Sequence, residues 1–363
     1  MRLSSKPTQV LFFILSLSIL SCKKEEPKPL PASYKVPTTY NFENAEVNGM
    51  EAATRQKMMV VLIEETEKGN KVGTRISNNI LNDMFTNNQA TSPFKEEGIS
   101  TLLSIKEATS PIFWDKFEPL VKRLEIASQA ADSGASNKSG VMKSISNSVK
   151  LYDAKGYAPY ELIEKGLMGA MQYYQITSIL LKDNKIGASI IKIERQKNWD
   201  LAFAYLGLPI DYPAIDKTPF WGEYLGTIGP LLNNNDKTIF NAFIKGRAAI
   251  DNDDHTVVAE SAATIIKELE RSAAGLGLKY LLRAKTYYTS DPVRKNAGLT
   301  EGYGFIEGLR YSDSKTISEV EINELESLIG DNNWSTSLDN INIAIAKLSL
   351  KFGFDTSNSN WTK

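Results

Sequence analysis

From Met50 onward the apolar residues of this chain return at three- and four-residue steps, the spacing of helices that bury one face. Near the carboxyl end Ile341, Ile345, Leu348 and Phe352 fall at i, i+4, i+7 and i+11. Earlier, Ile163, Leu167, Met171 and Tyr174 fall at i, i+4, i+8 and i+11, a slightly wider face. Turn-forming clusters separate such segments, among them residues 131–140, 233–236 and 251–254. The spacing predicts an all-α protein. Start signals agree: Ser110-Pro111 and Thr218-Pro219 each place a capping hydroxyl before a proline at the first helical position, and Thr316 with Glu319 has the spacing of a capping box. In the stretch from Ser189 to Pro213, Gly207 and Pro209 predict the end of a helix.

The amino terminus reads as an address. Arg2 and Lys6 precede an apolar run from Val10 to Leu20, too short to cross a hydrocarbon core of roughly 30 Å. Ile19-Leu20-Ser21-Cys22 resembles a bacterial lipobox, in which the cysteine is acylated and the signal is cut before it. Acyl chains worth about 0.8 kcal/mol per buried methylene would tie the chain to a membrane through lipid alone. Pro27, Pro29, Pro31 and Pro37 then favour an extended tether, and the Lys-Lys-Glu-Glu after Cys22 is similar to the export signal of surface lipoproteins. The expected organisation is a signal peptide over 1–21, a tether over 22–40 and a helical domain over 41–363, with halves of about 41–232 and 233–363.

Composition narrows the chemistry. With 42 Lys and Arg against 43 Asp and Glu, the formal charge of -1 offers no overall attraction to nucleic acid. One cysteine and one histidine exclude an intrachain disulfide framework, a cysteine-based zinc site and any two-histidine metal site. The glycine-rich stretches beginning at Gly275 and Gly302 lack the lysine and hydroxyl of a phosphate loop. No G-x-S-x-G elbow is present, and the sole imidazole, His255, lies in the acidic stretch DNDDHTVV that begins at Asp251, where it reads as a solvated turn residue.

Carboxylates on aromatic helices remain as candidates. Glu194 and Asp200 lie six residues apart, about 9 Å of helical rise, so they are not a local pair. Glu301 sits in a second aromatic helix, and Arg247 or Arg310 could neutralise such acids. Carboxylates without imidazole would suit a hard cation such as calcium, or would simply pair with those arginines. A fainter feature is the echo between residues 164–174, EKGLMGAMQYY, and 300–311, TEGYGFIEGLRY: both are glycine-dotted and aromatic, with glycines that would let helices approach closely.

Four ordered motifs, ELIEKGLMGAMQYYQI from Glu161, NWDLAFAYLGLP from Asn198, FNAFIKGRAAI from Phe240 and LTEGYGFIEGLRYS from Leu299, resemble a branch of uncharacterised bacterial lipoproteins related to the imelysins. The resemblance covers most of the chain after residue 40. It implies two packed helical-bundle halves, export in a Gram-negative bacterium to the outer membrane, and an association with iron or haem uptake. The hallmark G-x-H-x-x-E of that superfamily is not kept: Met168 or Met171 stands where its histidine could fall. In the lipoprotein branch, the histidines expected near the Trp-Asp pair and before LTEG are replaced by Gln196, Lys197 or Asn198 and by Ala297. The resemblance thus implies a non-enzymatic protein that binds a ligand or protein partner. A surface-interaction lipoprotein without a small-molecule site and a peptidase-like hydrolase are the alternatives.

Overall fold

Ile341, Ile345, Leu348 and Phe352, the carboxyl-terminal stripe, are all buried along one face of a single helix. The computed structural model describes residues 34–91, 93–213 and 218–362. The expected signal peptide, Cys22 and the expected tether up to residue 33 lie outside them. Among the described residues are thirteen α-helices and one two-stranded hairpin, so the fold is all-α. No helix there is long and apolar enough to cross a membrane.

The chain opens with α1 (Ala45–Glu67), α2 (Asn78–Thr86), the single turn α3 (Ile105–Ala108) and α4 (Pro111–Ser128). A hairpin follows, β1 (Gly140–Lys143) paired antiparallel with β2 (Val149–Tyr152), Val141 opposite Leu151. Then come α5 (Pro159–Leu167), the turn α6 (Asp183–Ile186), α7 (Lys192–Leu206) and α8 (Trp221–Ile228). The remainder is α9 (Asn235–Asp251), the long α10 (His255–Thr286), α11 (Pro292–Gly308), α12 (Glu319–Ile329) and α13 (Leu338–Phe352). From Tyr34 on, the chain forms one compact unit. Helix α10 packs along α9, α11 and α13, while α7 packs on α9 and α5 on α11, so helices on both sides of the Asn233–Asn234 turn share a core.

The wider stripe around Ile163 has a structural cause. Helix α5 runs on into π-helical turns over Met168–Tyr173 and Gln175–Leu180, whose extra residue per turn stretches the apolar repeat. Ile163, Leu167 and Met171 are buried, and Tyr174 is half-buried. The two echo segments pack on each other. At their crossing a Cβ on Gly169 would lie 2.8 Å from the Gly308 Cα, so side chains at this point would force the helices apart.

Helix ends match the sequence in part. Pro111 starts α4, and Gly207 closes α7 in the left-handed conformation with φ +76°. Thr218-Pro219 does not start a helix: α8 begins at Trp221, after Phe220 with φ 58°. The capping box before α12 is made by Ser318 and Glu321, not by Thr316 and Glu319. Thr316 is claimed elsewhere, its amide donating to the buried carboxylate of Glu270 at 2.6 Å.

Candidate functional site

Two of the residues singled out in the sequence meet. Asp200 on α7 accepts from Arg247 Nε on α9 at 2.9 Å and from the Tyr40 hydroxyl at 2.8 Å through one oxygen, and from Asn48 Nδ2 at 2.8 Å through the other. Arg247 also bonds Asp251, donates to the Glu43 carbonyl at 3.3 Å, and lies 5.1 Å from the centre of the Phe42 ring. Burial pushes the Asp200 carboxyl above its usual range, with Arg247, Asn48 and Tyr40 opposing. Each carboxylate oxygen accepts from protein donors, so this network binds the incoming segment Tyr40 to Glu43 to α7 and α9. Gly246 belongs to the same construction: a Cβ there would stand 2.0 Å from the Trp199 ring, whose Nε1 donates to the Phe243 carbonyl at 2.9 Å.

Glu194 is exposed on α7 and makes no side-chain contact of this kind among the described residues. His255 opens α10 half-buried rather than as a freely solvated turn residue, its Nδ1 lying 2.6 Å from Arg195 Nη1. Neighbouring Asp253 takes the other Arg195 nitrogen at 2.5 Å, which explains why the imidazole is held against the helix.

Glu301 belongs to a different network that shares no partner with Asp200. On α5, Lys165 sits between Glu161 and Glu164, with Nζ 2.9 Å from a carboxylate oxygen of each. Lys150 of β2 bonds Glu161 and lies 3.6 Å from Glu301, and Arg283 of α10 reaches Glu301 at 3.7 Å. The Tyr160 hydroxyl donates to Glu161 at 2.6 Å. Tyr224 stands beside the cluster, its ring centre 4.8 Å from the Lys165 ammonium. Three carboxylates and three cations therefore alternate in a pocket walled by tyrosines.

Burial opposes the charged forms of Lys150, Lys165, Glu161 and Glu164, and the field of their neighbours decides which of them stay charged. Burial opposes the Lys165 ammonium, yet Glu161, Glu164 and Glu301 hold its pKa well above the ordinary value. Burial also opposes ionised Glu161, but Lys150 and Lys165 together keep its carboxyl below the usual range. Glu164 has Lys165 alone, and there burial wins, pushing it up to about 7. A proton-exchanging acid near neutrality thus sits in the cluster, but its members include no Ser, Thr, Cys or His to act as a nucleophile. Among the described residues no group of three or more His, Cys, Asp or Glu is placed to hold a metal ion.

A cleft of about 950 Å³ opens between α4, α11, α12 and the segment after β2. Tyr157 and Tyr303 meet edge to face on its wall, with ring centres 5.8 Å apart. Charges of both signs line it and pair with one another: Lys116 bonds Glu307, and Lys155 meets Asp331. Arg310 joins Glu326 at 2.6 Å. Gly304 lies in the cleft wall, and a Cβ there would fall 2.6 Å from the Lys165 Cβ, so this glycine lets α11 pack closely on α5, which carries the charge cluster.

The cluster residues Glu161, Glu164, Lys165, Lys150 and Arg283 were not singled out in the sequence. Their signal was a Glu–Lys pair at i and i+4 inside the otherwise apolar ELIEKGLMGAM, which an amphipathic helix would be expected to turn outward.

Fold and site together define an all-helical domain with a balanced buried ion network beside an aromatic cleft. The chain belongs to the family described as a domain of unknown function (DUF4856), whose model matches residues 37–355. No curated protein and no solved structure matches it.

Proposed function

We propose that this is a lipid-anchored protein of the Gram-negative cell envelope that binds a ligand non-catalytically in the cleft between α4, α11 and α12. The observation that carries the binding site is the cleft itself: about 950 Å³, within the range of small-molecule sites, with aromatic walls and a few polar groups. The Tyr303 hydroxyl makes no hydrogen bond with another described residue, so it is available to a ligand. Anchoring is supported by the lipobox ending at Cys22. The imelysin kinship, and with it the link to iron or haem, is supported by the four ordered motifs alone. A second reading, a surface-interaction lipoprotein without a ligand, draws support from the pairing of nearly all the cleft's charges.

Metabolic labelling with a fatty acid tests the anchor in the full chain: Cys22→Ala should lose both the label and membrane association, and a labelled variant overturns it. Calorimetry with ferric iron and with haem tests the iron association. Heat that Tyr303→Ala abolishes supports it; absence of heat with both removes it. Binding of any compound that survives Tyr303→Ala unchanged places the ligand outside the cleft and defeats the site assignment.

A further inference from the structure

The cleft does not end at α4. A second recess of about 700 Å³ lies across that helix, and the two share Asp115, Pro119, Arg123 and Lys155 as a common ridge. The joined groove is longer than one compact small molecule would fill. Its aromatic surfaces sit at both ends: Tyr157 and Tyr303 in the first recess, and Trp114, 40% exposed, in the second.

Fixed charges along the groove interleave. Arg123 bonds Asp153 and lies 4.6 Å from the Tyr157 ring centre, Lys116 pairs with Glu307, and Lys155 with Asp331. No stretch presents one sign, so a polyanion or polycation meets as much repulsion as attraction. Hydrogen-bonding capacity remains unspent. Arg123 Nη2 is buried without a partner, and the Asn323 side chain and the Tyr303 hydroxyl make no hydrogen bond among the described residues. Pro119 inside α4 lacks the amide hydrogen that would bond the Asp115 carbonyl in an unbroken helix, so the ladder is interrupted at the shared ridge.

We infer that the groove receives an uncharged, hydroxyl-rich chain, an oligosaccharide, lying across α4 at Pro119. This inference rests on the cleft being the binding site. Sugar rings offer apolar C–H faces that pack on Trp114 and Tyr303, and each hydroxyl can both donate and accept. Such a ligand can bond the Asn323 side chain and the Tyr303 hydroxyl without bringing a charge that would break the cross-groove ion pairs.

The test is calorimetry of the full chain with neutral oligosaccharides of increasing length, alongside short peptides and anionic oligosaccharides. Affinity is expected to rise with length until both recesses are spanned, and to change little with salt because no charge is neutralised. Trp114→Ala and Tyr303→Ala should each weaken binding of the long oligosaccharide by about tenfold or more, the loss of an aromatic anchor. Leu350→Ala, on α13, should leave it unchanged. If peptides or anionic chains bind, lose affinity in Tyr303→Ala, and neutral oligosaccharides do not bind, the ligand class is wrong and the site stands. If nothing in the three sets binds, the oligosaccharide inference falls, and the cleft itself stands or falls with the iron and haem titrations of Tyr303→Ala.

Discussion

Arg247 Nε lies 2.9 Å from the Asp200 carboxylate, and each residue is only 1% exposed. Removing one partner of such a buried pair leaves an uncompensated charge, at a cost of about 3–5 kcal/mol. Arg247→Met is therefore expected to lose that much stability in urea unfolding. The double variant Arg247→Met with Asp200→Leu should recover a large part of it, because neither charge remains. A double variant as unstable as the sum of the two single changes would show that the pair is not coupled.

Glu164 makes stability depend on pH in a defined direction. Its folded pKa, about 7, exceeds the ordinary 4.5, so between those values the native state holds more protons than the unfolded chain. Stability contributed by this residue is present at low pH and falls as pH rises from about 4.5 to about 7, at up to roughly 1.4 kcal/mol per unit. Glu161 acts oppositely: its lowered pKa contributes stability that is lost as pH falls below the ordinary carboxylate value. Glu164→Gln should flatten the first window and leave the second, measured as the urea midpoint against pH. An unchanged profile in the variant would assign the dependence to another group.

Lys165→Met tests the cluster as a unit. Glu161, Glu164 and Glu301 would lose the cation that they surround, and the expected loss at neutral pH is about 3–5 kcal/mol. Because protonation of the carboxylates relieves the imbalance, the deficit should shrink toward pH 4 or so. A deficit independent of pH would point to lost packing against Tyr224 and Phe305 rather than lost charge.

The crossing of the two echo segments is sterically intolerant. Gly169→Val places methyl groups where Gly308 already stands, and overpacking of this kind costs about 1–3 kcal/mol. Gly246→Ala brings a methyl against Trp199 and should lower the thermal midpoint while shifting tryptophan emission. Emission unchanged with a lowered midpoint would mean that α9, rather than the indole, moves.

Much of this fold was legible because helices announce themselves locally. The stripe from Ile341 to Phe352 and the stops at Gly207 depend on residues within one element, and both occur as expected. The cap before α12 was displaced by two residues because its decisive partner, Glu270, comes from another helix. The hairpin at Gly140 to Tyr152 escaped because four-residue strands are too short to display alternation. Asp200 stood out as an acid in an aromatic helix, whereas its partners Tyr40 and Asn48 lie more than 150 residues away in sequence. The Glu161 cluster was hidden for the same reason: burial of an i, i+4 Glu–Lys pair is imposed by α11 and β2, which no local spacing records.

Tyr40 has one more consequence. Its ring stacks on Phe203 with centres 3.6 Å apart, its amide donates to the Ile210 carbonyl at 2.7 Å, and its hydroxyl holds Asp200. Because all three attachments belong to one residue, a mechanical load arriving from the amino-terminal side would meet them together instead of peeling them singly. Arg247 would pass part of that load to α9. The residues around Trp199 and Asp200 thus fasten the leading segment to α7 and α9 at several points on one residue.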